Sequence, residues 1–192
     1  MIALNNYELI DKAITYATKH HEGVSRKGKK IPYILHPLEA MSIVATITDD
    51  NELIAAAALH DLIEDTDVTY DDIKKEFGKR IADIVNEESD NTLPNYSNLG
   101  WKGKKALALN RLKNANLDVK IVALGDKLSN IRAIHNDYYL IGNDIWNRFR
   151  ESNPSSHKWR YMELVKCFDE LKDTNAYKEF EWLVKDTFKG IE

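Results

Sequence analysis

Leu53 to Leu59 form an unbroken apolar run, with four alanines from Ala55 to Ala58, and the run stops on His60-Asp61-Leu62-Ile63-Glu64-Asp65-Thr66. So long an apolar run behind the start signals Asn51 and Glu52 predicts a helix buried on most sides. Four ionisable residues at its end are costly there, because a buried carboxylate must be paired, hydrogen-bonded or bound to a metal. His60 and Glu64 lie one helical turn apart, as do Asp61 and Asp65. His60 and Asp61 can therefore reach one point, with the acidic pair a turn beyond it. Imidazole plus carboxylate suits Zn, Mn or Fe, and the second pair can handle a coordinated water. A two-ligand site is incomplete, so further ligands must come from elsewhere in the chain.

The rest of the chain favours an all-α fold. Gly and Pro are sparse (8 and 4 residues) and alternating apolar patterns are scarce. A chain of 192 residues with 43% hydrophobic residues can bury the core of one domain. No apolar run approaches the ~20 residues of a membrane span, and Met1 to Asn6 lack the features of a signal peptide. The single cysteine, Cys167, excludes an internal disulfide, reads as a core filler and fits a reducing cytoplasm. A formal net charge of -4 argues against a broad nucleic-acid surface. It permits a small phosphorylated substrate, for which a local basic patch suffices. Oligomeric state is not legible.

A first helix is expected over about 6–21, on the stripe Ile10, Ala13, Ile14 and Ala17. A basic loop, Ser25-Arg26-Lys27-Gly28-Lys29-Lys30, leads into Pro32-Tyr33-Ile34-Leu35-His36-Pro37. Pro37 suits a first helical position, which makes His36 an N-cap at the mouth of the packing surface, with the helix running to about Thr48. Thr69 and Asp72 form a capping-box pattern, so a short helix starts near Tyr70; another covers Arg80 to about Glu88. The stretch 89–103, with Asn91, Pro94, Asn95 and two glycines, is irregular, and a loop so long is functional or mobile. Trp101 and a second basic cluster (Lys102, Lys104, Lys105) open a helix to about Lys113.

A helix from Leu117 to about Ile134 carries Gly125-Asp126-Lys127-Leu128-Ser129-Asn130. Asp126 stands between Leu124 and Leu128, close to the apolar face, and Asn130 lies one turn on. A helix to about Glu151, ended by Pro154, and two more over roughly 156–172 and 174–189 complete the chain, with aromatics read as core and His135 and His157 as surface or loop residues. The candidate ligands are thus His36, His60, Asp61 and Asp126, on three helices, as in a helical-bundle core. Two imidazoles and two carboxylates leave a six-coordinate ion open positions for water and substrate, which suits Mn better than a closed structural zinc.

These segments, in this order, resemble the HD-domain metal-dependent phosphohydrolases, and more narrowly the hydrolase domain of RelA/SpoT proteins. The resemblance implies a single HD domain over residues 1–192, without room for the family's synthetase and regulatory domains. That describes a stand-alone alarmone hydrolase close in size to the metazoan SpoT homologue. It implies one Mn ion on His36, His60, Asp61 and Asp126, with Glu64 and Asp65 handling the attacking water. Arg26 and Lys27 would sit at the nucleotide, Asn130 at a ribose or phosphate, and Tyr161 at the substrate. The implied reaction is hydrolysis of guanosine 3′-diphosphate 5′-di(tri)phosphate (ppGpp or pppGpp) to GDP or GTP and pyrophosphate. Another HD activity, such as a nucleotidase or an NADPH 2′-phosphatase, shares the metal site, and a non-catalytic helical interaction domain would be expected to lack ligands that are present here. One departure from the family pattern is Gly125, where Ala is more usual; it is read as flexibility tolerated beside a ligand.

Overall fold

The computed structural model describes residues 6–94 and 96–192. Residues 1–5, over which the leader reading runs, and Asn95 of the irregular stretch lie outside them. Among the described residues the architecture is all-α, without a sheet; a lone antiparallel bridge joins Ser25 to Pro32.

The apolar run forms α3 (Asn51–Leu59), whose four alanines and Leu59 are fully buried. Asp50 caps it, its carboxylate accepting from the Glu52 N–H at 3.0 Å. Small side chains let other helices approach closely. α3 packs against α1 (Asn6–His20), α2 (Leu35–Val44), α6 (Lys79–Glu88) and α8 (Leu117–Ile141). The expected capping box is formed in full: Thr69 and Asp72 exchange side-chain and backbone bonds at the start of α5 (Tyr70–Phe77). α7 (Trp101–Asn114) packs on α9 (Pro154–Cys167), and α10 (Asn175–Thr187) packs on α8 and α9. Cys167 is buried, as expected of a core filler.

Several local expectations are corrected. The helix of the apolar run does not continue through Asp65: it stops at Leu59, turns at His60 and Asp61, and resumes as α4 (Leu62–Asp65). Asp61 sits at φ −88°, ψ −4°, a bend that aims the two side chains at a common point while the Asp65 N–H still reaches the Asp61 carbonyl at 2.9 Å. His36 is not an N-cap. It lies inside the first turn of α2, because turn bonds from Leu35 and His36 to the Pro32 and Tyr33 carbonyls begin the winding earlier. The helix expected to end near Ile134 runs on to Ile141, since the buried Asp137 carries the inward face past the point where apolar periodicity fades. Residues 142–148 wind as a 3-10 helix, and Pro154 opens α9 behind the Asn153 cap instead of merely ending its predecessor. His135 therefore sits on α8, its Nε2 3.0 Å from Asp186, and His157 sits on α9, buried and stacked on Trp146.

Gly125 also receives a different reading. A Cβ added there would meet the Ala40 carbonyl oxygen at 2.8 Å and Val44 Cγ2 at 2.7 Å, so the absent side chain lets α2 and α8 touch one residue from Asp126. Close approach, not flexibility, is what the glycine provides. Gly125→Ala is therefore expected to lower the urea midpoint, because an overpacking cost of about 1–3 kcal/mol outweighs the helical advantage of alanine, at most ~1 kcal/mol. A variant as stable as the parent or more so would refute the close-packing account.

Candidate metal centre

α2, the α3–α4 bend and α8 each deliver a piece of one polar cluster inside the apolar core. His36, His60 and Asp126 are all buried, and one ligand atom from each lies within 4.8 Å of the others. His36 Nε2 stands 3.0 Å from Asp126 Oδ1 and 3.5 Å from Asp61 Oδ2. His60 Nε2 stands 3.0 Å from Asp61 Oδ2 and 3.6 Å from Asp126 Oδ1. Adjacent ligands of an ion with bonds of about 2.1 Å are about 3 Å apart. The atoms thus stand as donors around a shared point.

The outer partners set the imidazole tautomers. His60 Nδ1 lies 2.8 Å from the Ala57 carbonyl, which can only accept, so Nδ1 carries the hydrogen and Nε2 presents its lone pair. His36 Nδ1 lies 2.8 Å from Ser129 Oγ, and that hydroxyl donates onward to Glu39 Oε2 at 2.8 Å. Ser129 is thereby left to accept, so His36 too presents an Nε2 lone pair. His60 Nε2, although close to Asp61, has no aligned hydrogen-bond partner. An orphaned, buried imidazole nitrogen among carboxylate oxygens fits a divalent cation. This donor set would hold one through His36, His60 and Asp126, with Asp61 at bonding reach.

Charges around the cluster are arranged to keep the carboxylates ionised. Burial opposes charge on Asp126, but Lys127, which contacts its Oδ2, and His60 hold it well below the carboxylate range. Burial likewise opposes a charge on His60, yet Asp61 and Asp126 push it well above the ordinary imidazole value, a proton answering the same negative field as a cation would. Tyr33 donates to Asp61 Oδ2 at 2.6 Å; burial and then the Asp61 charge raise its hydroxyl far above the phenol range, so it remains a donor. Asn130 donates to Asp126 Oδ1 at 2.5 Å and accepts from Arg26 Nη2 at 2.7 Å, linking the basic loop to the centre.

Beside the cluster opens a cleft of about 610 Å³, in the usual range for small-ligand sites. Arg26, Lys27, Asn130 and Tyr161, all singled out in the sequence, line it, and so do Glu64 and Asp65. Glu64 accepts the Asp90 N–H at 3.2 Å. Burial in the cleft wall, then Asp90 and Asp61, push its carboxyl up; burial, then Asp61, do the same to Asp65. The second basic cluster is split. Lys105 enters the cleft, whereas Lys102 lies over the Trp159 ring and Lys104 over Tyr96. The start of the irregular stretch is tied down beside it, Asp90 Oδ2 accepting from Lys105 Nζ at 2.8 Å.

Sequence reasoning missed the cleft residues Arg148, Phe149, Arg150, His157 and Arg160. The string Arg148-Phe149-Arg150 was a readable basic–aromatic signal, and Arg160 adjoins Tyr161, but no helical period ties either to the ligands. Tyr33 and Ser129 lay inside matched segments without a role, and Glu39 carried no signal, since only folding brings residues 90 apart in sequence within hydrogen-bond reach.

A buried His/His/Asp cluster opening on an acid pair and a basic cleft, all within packed helices, defines a metal-dependent hydrolase of the HD type. The chain belongs to the HD-domain family, whose profile matches residues 13–152. It is homologous to the RelA/SpoT-type hydrolases. It is 29% identical over 168 residues to a guanosine-3′,5′-bis(diphosphate) 3′-pyrophosphohydrolase of Drosophila melanogaster, a match covering 86% of this chain and 85% of that one. An enzyme of the same description from Aquifex aeolicus is 34% identical over 130 residues, or 66% of this chain, but the match spans only 18% of the Aquifex protein. The fold is shared with a metazoan SpoT orthologue described as hydrolysing ppGpp (TM-score 0.73, 20% identity, covering 100% of this chain and 99% of that one). It is shared too with lmo0812 of Listeria monocytogenes (TM-score 0.70, 27% identity, 80% of this chain and 99% of that one).

Two substitutions test the centre. His60→Ala is expected to abolish stoichiometric binding of a transition metal, read by elemental analysis. Ser129→Ala, which frees the His36 ring and removes the hydroxyl's bond to Glu39, is expected to keep the fold and weaken metal affinity by about 10- to 100-fold in a competition titration. Unchanged affinity in the Ser129 variant would mean that the tautomer is set by something else.

Proposed function

We propose that this chain is a Mn-dependent 3′-pyrophosphohydrolase of guanosine 3′-diphosphate 5′-di(tri)phosphate, releasing GDP or GTP and pyrophosphate. The observation that carries the reading is the junction of the ligand cluster, the Glu64–Asp65 pair and a cleft lined by seven cationic side chains against three carboxylates. The names of the homologous enzymes support the choice of substrate.

His36, His60, Asp61 and Asp126 would hold the ion. A bound Mn would supply positive charge that polarises a phosphoryl group and acidifies a water. The protein's own residues do the rest. Arg26, Lys27 and Tyr161 bind and orient the nucleotide, with Arg26 able to stack on the purine, and Asn130 holds Arg26 in register with Asp126. Glu64 or Asp65 takes the proton of the attacking water. Their raised pKa values bring them nearer the working pH, where a general base is most effective. Water oxygen adds to the phosphorus next to the ribose, the P–O3′ bond breaks, and O3′ leaves with a proton while pyrophosphate departs.

α9, beyond the family match, supplies Tyr161 to the same cleft, which supports reading the chain as one hydrolase unit. The lone buried Cys167 suits a cytoplasmic setting. Among the described residues no helix is long and apolar enough to cross a membrane.

Product analysis with guanosine tetraphosphate, NADPH and simple nucleotides side by side is the direct test. The kcat/KM ratio is expected to favour the guanosine compound, whose two diphosphates concentrate more charge than NADPH offers; a ratio favouring NADPH would replace this reading with a 2′-phosphatase. Glu64→Gln and Asp65→Asn are expected to retain metal while kcat falls on the order of 10²-fold or more. Normal turnover in both would leave the acid pair as a helix-end feature.

A further inference from the structure

Most cations of the cleft already have partners. Asp137 accepts Lys29 at 2.9 Å and Arg148 at 2.8 Å, and Arg26 is held by Asn130. Lys105 is paired with Asp90. Arg160 differs. It is half-buried on α9 and faces the cleft, yet among the described residues it makes no ion pair or hydrogen bond; its guanidinium meets only the neighbouring Tyr161 ring, at 5.9 Å.

The surroundings make this costly. Arg160 and Lys105 line the same cleft wall and a smaller adjoining cavity, and the Lys105 ammonium is pulled down by burial and then by the Arg160 charge. Asp90, a carboxylate that feels the Arg160 charge without pairing with it, is already shared by Lys105 and, at 3.9 Å, Arg111. A guanidinium kept beside another cation without an ion pair of its own is a repulsion that an incoming anion would relieve, and its planar donor fork suits phosphate oxygens. The place matters as well. Asp90 joins Lys105 through its carboxylate and Glu64 through its N–H, so the Arg160–Lys105 wall flanks the acid pair. Arg26 and Lys27 come from the separate 25–30 loop, so the cleft carries two cationic walls.

We propose that Arg160, with Lys105, forms a phosphate subsite on the α7–α9 wall that holds the terminal phosphate of the diphosphate being removed. The assignment rests on the pyrophosphohydrolase reading and adds to it a specificity-determining residue. It makes a diphosphate, as opposed to a monophosphate, the preferred reacting group, and it predicts that released pyrophosphate lingers there.

The test uses the Mn-loaded protein and inorganic pyrophosphate, titrated calorimetrically with free Mn held constant. Arg160→Gln is expected to weaken pyrophosphate binding roughly tenfold or more, in the range of a lost charge-assisted bond, with metal content and the unfolding midpoint unchanged. Arg160→Lys should recover part of the affinity. Lys102→Gln, outside the cleft, should match the parent. In turnover, Arg160→Gln should lower kcat/KM for a nucleoside 3′-diphosphate several-fold more than for the 3′-monophosphate. Pyrophosphate binding that is equal in the parent and Arg160→Gln overturns the subsite, as does an equal loss in Lys102→Gln or an unchanged diphosphate preference. If guanosine tetraphosphate is not cleaved but pyrophosphate binding still depends on Arg160, the pyrophosphohydrolase reading fails and the phosphate subsite stands.

Discussion

Everything in this protein depends on how closely three helices approach at the polar cluster. His36, His60 and Asp126 come from α2, the α3–α4 bend and α8, and side chains this short reach one point only if the backbones nearly touch. The four buried alanines of α3 and the bare Cα of Gly125 against the Ala40 carbonyl provide that approach. The same small residues would make a weak core by themselves, because they bury little apolar area. Larger side chains around them, among them Leu59, Leu62, Leu124, Leu128 and Ile131, supply the burial, at up to ~1.5–3 kcal/mol each. Small residues set the geometry and large ones the stability.

Burying four ionisable side chains among such residues is tolerable because each has a partner on its far side. Ala57 and Ser129 take the imidazole hydrogens, Tyr33 donates to Asp61, and Lys127 and Asn130 satisfy Asp126. The donors left over all face inward. This is the pattern expected when outer partners orient metal ligands. It also couples the basic loop to the centre, since Arg26, Asn130 and Asp126 form one hydrogen-bonded chain.

The cleft shows the same economy of charge. Asp137 and Asp90 neutralise the cations that hold loops in place, which distinguishes structural cations from those free to meet a ligand. Asp137 in particular fastens the 25–30 loop to α8 and to the 3-10 segment. Gly28 packs there at φ +75°, where a Cβ would meet Arg148 Cδ at 2.8 Å.

The local order of the chain was legible wherever one short segment carried its own signal. The apolar run of α3, the Thr69–Asp72 box, and the His36, His60-Asp61 and Asp126 motifs could be read without a fold, because propensity and spacing act over a few residues. The bend at Asp61, the early start of α2 and the two extra turns of α8 could not, since contacts made by distant residues override the local pattern at each. Gly125 is the clearest case: in sequence it suggests flexibility, and only the facing Ala40 carbonyl shows that it permits contact. Arg160 is another, an ordinary helix arginine until folding places it on one wall with Lys105, which holds the Asp90 carboxylate. The sequence by itself determined which residues could bind a metal and that they would ride on helices. Tertiary structure alone decided which nitrogens present lone pairs and which cations remain unpaired, because both depend on partners up to 90 or more positions away in the chain.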